Sequence, residues 1–170
     1  MPAAAEPGDA TADTPTSTRR LALVVATAAV ILTLDQLSKW WALENLDDGP
    51  VDLIWTLRLN LTFNSGAAFS TAGGLGPVIA VVAFVVVGFI FWTGREVRGR
   101  TVAITLGMIA GGALGNLADR VFRSNDGWFG GSVVDWIDLQ WWPVFNVADA
   151  SLVVGGILLV LLVGVRGEAA

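Results

Sequence analysis

The sequence predicts an all-α membrane protein of four transmembrane helices, with a small β-element and a surface loop on one side. Three observations predict it. Hydrophobic residues make up 54% of the chain and charged residues 15%, with a mean hydropathy of +0.66, which is little charge for a soluble domain of 170 residues. Apolar runs that approach bilayer length occupy about 21–43, 77–92, 101–118 and 144–165. The third observation is the stretch from Gly111 to Ser151, which sets Asn116, Asp119, Arg120, Asp135, Asn146 and Asp149 beside the last two runs. Charges and amides in that setting are costly and are usually kept for a function.

Composition narrows the chemistry. There is no cysteine and no histidine, so disulfides, thiolate metal sites and Ser-His-Asp or Cys-His catalysis are excluded. Acid–base work falls to carboxylates, the single lysine Lys39, hydroxyls or water. Neither a metal nor a cofactor is expected. The net charge is −5 and the basic residues are scattered, which gives no sign of nucleic-acid binding.

Residues 1–18 are rich in Ala, Pro, Thr and acidic residues without apolar period, and predict a disordered arm. Arg19 and Arg20 precede the first apolar run as they would in a signal peptide. No small-residue cleavage site follows, so 21–43 is expected to be a retained helix. Asp35 and Lys39, at i and i+4, share one face of it and can pair. They are either a structural ion pair near the interface or the edge of an active site. Trp40 and Trp41 fit an interfacial aromatic belt.

Residues 51–63 (VDLIWTLRLNLTF) alternate in part, with Trp55, Leu57, Leu59, Leu61 and Phe63 on one parity. That predicts a short hairpin or curled sheet at the membrane surface. NSGAAFS (64–70) follows, small residues that permit close backbone approach. The second helix is expected at about 77–92, with Pro77 in its first turn. Gly107, Gly111 and Gly115 recur every four residues in the third, a strip that lets membrane helices pack closely. Asp119 and Arg120 are compatible with a plain interface ion pair. The fourth helix is expected over 144–165, leaving a short tail at 167–170.

Arg19, Arg20, Arg95, Arg98, Arg100 and Arg166 fall on one side of a four-span chain. By the positive-inside rule that side is cytoplasmic, with both termini inside. The loops at 44–76 and 122–143 then lie outside, together with the polar stretch.

Asp135 (VVDW), Asp138 (WIDL) and Asp149 (VADA) are the carboxylates of that stretch with apolar neighbours. The QWWP turn between Asp135 and Asp149 can bring one back past the other. With Asn146 as N-cap, Asp149 falls at N3, where an acid offsets the helix dipole; that capping role does not exclude catalysis. Two carboxylates forced together in a low-dielectric site share a proton, so one serves as base on water and the other as acid. Asn64, Asn116, Arg120 and Asn146 could hold a substrate backbone beside them. Asp119 and Asp138 are expected to be structural.

DQLSKWW (35–41), NSGAAFS, GGALGNLADR (111–120), VVDWIDL (133–139) and FNVADAS (145–151), in this order between four spans, resemble the lipoprotein signal peptidases, or signal peptidase II. The resemblance covers roughly 21–165. It implies a monomeric aspartyl endopeptidase of the bacterial cytoplasmic (inner) membrane, inhibited by globomycin, with its active site toward the outer leaflet. Its substrate would be a lipidated prolipoprotein, cut just before the diacylglyceryl-modified cysteine. The resemblance puts the catalytic aspartates at Asp135 and Asp149 and substrate contacts at Asn64, Gly66, Asn116, Arg120 and Asn146. Asp35, Lys39 and Gly112 would support them, and 44–76 would form an extracytoplasmic cradle and lid. The acidic arm and the GWFGGS insertion (127–132) depart from the bare pattern.

Two other chemistries are open to these residues. A proton-coupled carrier could use Asp35, Lys39 and Asp149, but the internal repeats and broken helices of such carriers are missing from the sequence. A serine–lysine peptidase would need a serine other than Ser38, which points about 100° away from Lys39 on a helix.

Overall fold

The computed structural model describes residues 16–66, 76–123 and 131–167. Four helices organise it: α1 (Thr16–Asn45), α2 (Gly76–Thr93), α3 (Arg100–Phe122) and α4 (Val147–Gly167). All four are long and apolar enough to cross a membrane. In α3 half of the spanning window is buried, against 17–22% in the others, so α3 is the central post and α1, α2 and α4 lean on it. The outward faces carry Phe84, Phe89, Trp92, Val160 and Val163, all exposed, while Asp35, Lys39 and Asp119 are fully buried. A bilayer accepts such an inversion because helices satisfy their own backbone and lipid covers the apolar faces.

Glycine sets the closeness of the packing. A Cβ at Gly107 would lie 2.5 Å from Thr27 Cβ, and one at Gly111 would lie 2.7 Å from Ile31 Cβ. At Gly115 the clash would be with Asp35 Oδ2, at 2.5 Å. The strip foreseen at spacing four is therefore the α1–α3 seam. Gly112, one residue round the helix, serves the opposite side, where a Cβ would meet Ala148 O and Ser151 Oγ of α4 at 2.5 Å.

The small sheet comprises β1 (Val51–Ile54), β2 (Leu57–Asn64) and β3 (Val133–Asp138). The order is β1-β2-β3, antiparallel throughout. The hairpin turns at Trp55, which has φ 51° and is 97% exposed. The hairpin was legible in the alternation of 51–63, whereas β3 was not foreseen as a strand. It pairs Thr62 with Asp135 and Asn64 with Val133. Beyond β3 the chain doubles back: Trp136 and Ile137 both donate their N–H to Phe145 O, at 3.1 and 2.9 Å, and Phe145 N returns a bond to Ile137 O at 3.0 Å. That tight return brings the start of α4 alongside Asp135.

The helices extend past the apolar runs that announce them. α1 reaches from Thr16 to Asn45 and α3 continues to Phe122, while α4 begins only at Val147. Residues 1–15 of the expected arm, 67–75 of the expected lid and 124–130 of the glycine-rich insertion lie outside the described residues.

Candidate active site

The site forms where the C-terminal end of β2 and the adjoining β3 meet the C-terminal half of α3 and the first turn of α4. Asp135 sits mid-strand in β3 and is 2% exposed. Asp149 lies in the first turn of α4. The local reason for its place is a capping box. Asn146 Oδ1 accepts the Asp149 N–H at 2.8 Å, and Asp149 Oδ2 accepts the Asn146 N–H at 3.3 Å. The cap anticipated from the sequence thus exists, and it also aims Asp149 into the site.

Two amides join the aspartates. Asn146 Nδ2 donates to Asp135 Oδ1 at 2.7 Å and to Asn116 Oδ1 at 3.0 Å. Asn116 Nδ2 donates to Asp149 Oδ1 at 2.7 Å. Asn64 also hydrogen-bonds the Asp135 carboxylate. The Asn64 Oδ1 accepts the Gly66 N–H at 2.9 Å, a two-residue turn that needs glycine: φ at Gly66 is +79°, and a Cβ there would crowd Gly76 N at 3.2 Å. Burial, and then the charge of Asp149, push Asp135 up to about 6, against the pull of its bonds from Asn64 and Asn146. A carboxyl so placed can hold or release a proton near neutral pH.

A cavity of about 330 Å³ opens beside the pair. Asn64, Asn116, Arg120 and Asp149 form its polar end, and Val82 and Val86 of α2 face them as an apolar wall. Asp135 lies one amide deeper. Arg120 is 5% exposed, and its Nη1 is buried without a hydrogen-bond partner among the described residues. A buried guanidinium N–H without a partner is a donor that an acceptor such as a peptide carbonyl would satisfy.

The sequence pattern that describes the Signal peptidase (SPase) II family matches residues 27–165. The chain belongs to that family. It is 48% identical over 159 residues to the lipoprotein signal peptidase of Mycobacterium avium, covering 92% of this chain and 87% of that one. The Mycobacterium leprae protein of the same name is 51% identical over 146 residues, covering 85% and 72%. Two solved structures, each described as a bacterial membrane enzyme obtained by the in meso method, share the fold with TM-scores of 0.70 and 0.71. They are 24% and 23% identical to this chain, covering 82% of it in both cases and 86% and 91% of themselves.

Behind these amides lies a second cluster, and it corrects one expectation. Lys39 Nζ pairs with Asp35 Oδ2 and with Asp119 Oδ2, both at 2.8 Å, all fully buried. Asp119 also takes Arg123 Nε at 3.0 Å, Gln36 Nε2 at 3.2 Å and the Val134 N–H at 3.1 Å. Asp119 is therefore paired with Lys39 and Arg123, not with Arg120. The i,i+4 spacing of Asp119 and Arg123 was a readable signal; the bonds from Gln36 and Val134 were not. Ser38 Oγ donates to Asp35 O at 2.9 Å, away from Lys39, so the serine–lysine arrangement is not formed there. Asp138 is the remaining acid of the stretch among the described residues. Arg58 at 2.6 Å, and then the Gln140 N–H at 2.6 Å, hold it below the usual carboxylate range.

Proposed function

We propose that this chain is an aspartic-type endopeptidase that removes signal peptides from prolipoproteins, with Asp135 and Asp149 as its catalytic pair. The observation that carries the assignment is the amide bridge, Asp135–Asn146–Asn116–Asp149, at a cavity that Arg120 also lines. A pair sharing one proton can run both halves of the reaction. The ionised member takes a proton from water as the water oxygen attacks the scissile carbonyl. The protonated member gives its proton to the carbonyl oxygen. Collapse of the tetrahedral intermediate then breaks the C–N bond, with a proton passing to the leaving amine. Arg120 and the Asn64 and Asn116 amides are placed to hold the substrate backbone, and Gly66 and Asn146 shape that contact. Asp35, Lys39 and Gly112 support it from α1 and the α3–α4 seam.

The substrate is read as a diacylglyceryl-modified precursor cut before its lipidated cysteine, by a monomeric enzyme of the bacterial cytoplasmic membrane. The arginines at both termini and between α2 and α3 support cytoplasmic ends and a site toward the outer leaflet. The family membership lends no support to a proton-coupled carrier. The test is cleavage of a lipidated precursor in detergent. Asp135→Asn and Asp149→Asn should each stop it while leaving a folded protein. Near-normal turnover in both would remove the pair from the chemistry. Because the chain has no cysteine, single cysteines placed at Asp52 and at Arg95 would report sidedness: only the first should react with an impermeant reagent on intact cells.

A further inference from the structure

Lys39 bonds to neither aspartate of the pair, and hydrolysis by two carboxylates does not call for a lysine. Yet Lys39 is fully buried one residue behind them. An ammonium has three N–H donors and no acceptor. Here they meet three acceptors: Asp35 Oδ2 and Asp119 Oδ2 at 2.8 Å, and Asn116 Oδ1 at 3.0 Å.

The third bond constrains chemistry further on. The two ends of a primary amide have nearly the same shape, so a half-turn exchanges oxygen and nitrogen. At Asn116 that half-turn is blocked. Oδ1 already receives Lys39 Nζ and Asn146 Nδ2, each at 3.0 Å, and a turned amide would set N–H against two donors. It would also set its oxygen against Asp149 Oδ1, which now lies 2.7 Å from Nδ2. Asn146 is fixed separately, because its Oδ1 holds the Asp149 N–H.

We infer that Lys39 is a positioning residue for the cleavage reaction: it locks the Asn116 amide so that Asp149 always meets an N–H, and it thereby holds the pair in one proton arrangement. The inference rests on the function proposed above. Asp149 faces Asn116 and Arg120 from α3 and Asp135 from β3. Asp35 and Lys39 of α1, with Asp119 and Arg123 of α3, stand behind Asn116. α2 brings only apolar side chains to the cavity.

The experiment measures kcat, KM and the pH profile of precursor cleavage for three proteins, with folding followed by thermal unfolding in detergent. They are wild type, the charge-balanced double variant Asp35→Asn/Lys39→Met, and Asn116→Asp. In the double variant kcat should fall by about a hundredfold, with a smaller change in KM, because Asn116 also faces the substrate but only the reacting arrangement depends on which of its ends meets Asp149. Asn116→Asp keeps an oxygen for Lys39 but sets a second oxygen against Asp149. It should lose kcat to a similar extent and move the acid limb of the profile to higher pH, since a further carboxylate hinders ionisation of the pair. A folded double variant with wild-type kcat overturns the inference, as does a loss of activity that merely tracks the folded fraction. Should the double variant not fold, Asn116→Asp decides, and an unmoved profile with unchanged kcat overturns it. A wild-type chain that does not cut the precursor overturns the proposed function and this inference together; an active wild type with indifferent variants overturns this inference alone.

Discussion

Two pairs of aspartates belong to one bonded network, and they are satisfied in opposite ways. Asp35 and Asp119 meet a buried ammonium, with Arg123 adding a second cation to Asp119. Among the described residues no lysine or arginine nitrogen lies within ion-pair distance of Asp135 or Asp149, whose partners are amides and backbone N–H groups. A cation shared by two carboxylates ties their helices together. An amide orients a carboxylate and leaves its proton free to move. Residue type alone does not separate the acids proposed to react from the structural ones; their partners do.

The comparison is sharpest in activity. Asp135→Asn and Asp149→Asn should lower turnover by at least ~10²–10⁴-fold, the range for losing a positioned acid or base. Asp119→Asn, by contrast, should keep a measurable kcat per folded molecule. A dead but well-folded Asp119→Asn would break the division. The next effect is in stability. Lys39→Met leaves Asp35 and Asp119 buried without their shared cation, and breaking a buried pair from one side costs about 3–5 kcal/mol. Thermal unfolding of purified protein should show it as the largest loss among these variants.

The third effect has the opposite sign. A carboxyl raised to about 6 by burial is a cost to the fold whenever it is ionised. That cost grows as pH rises from near 4 through about 6, so wild type should gain stability on acidification across that window. Asp135→Asn has no such group. It should be inactive yet more stable than wild type above pH 7, by at most about 3 kcal/mol, with the gap closing below pH 4. Unfolding midpoints at pH 4, 6 and 8 check it. A variant less stable than wild type at pH 8 would mean that the Asn146 and Asn64 bonds outweigh the burial.

Much of this was legible because the bilayer imposes a simple grammar. Four apolar runs announced the spans, the glycines at 107, 111 and 115 announced a close helix seam without naming its partner, and the lack of histidine and cysteine put carboxylates first among the candidate catalysts. The Asp35–Lys39 bond was legible from i,i+4 spacing. Contacts that cross the chain were not: Lys39 to Asp119 joins two helices, and nothing local to either residue announces the other. β3 was hidden as well, since a six-residue run buried mostly on both faces has little alternation to read. The helix ends overran the apolar runs because polar groups such as Asp119 and Arg120 are buried within α3 rather than ending it.

The smallest effect lies at the rim. Arg58 and Asp138 are paired across β2 and β3, with Nε 2.6 Å from Oδ2, and Asn60 Nδ2 adds a bond at 3.3 Å. The arginine side chain is 33% exposed, so water screens the pair and competes for it. Arg58→Ala should therefore cost about 1 kcal/mol or less and leave kcat unchanged. Its pH dependence separates it from Asp135. A carboxyl held below its unfolded value contributes stability above about pH 4 and loses it as pH falls through the folded value. The wild-type advantage over Arg58→Ala should thus persist from pH 8 to pH 5 and fade only in stronger acid, below the window in which Asp135→Asn loses its own advantage. A loss of cleavage in folded Arg58→Ala would mean that the rim pair also reaches the substrate, and the line between structural and reacting acids would have to be redrawn to include Asp138.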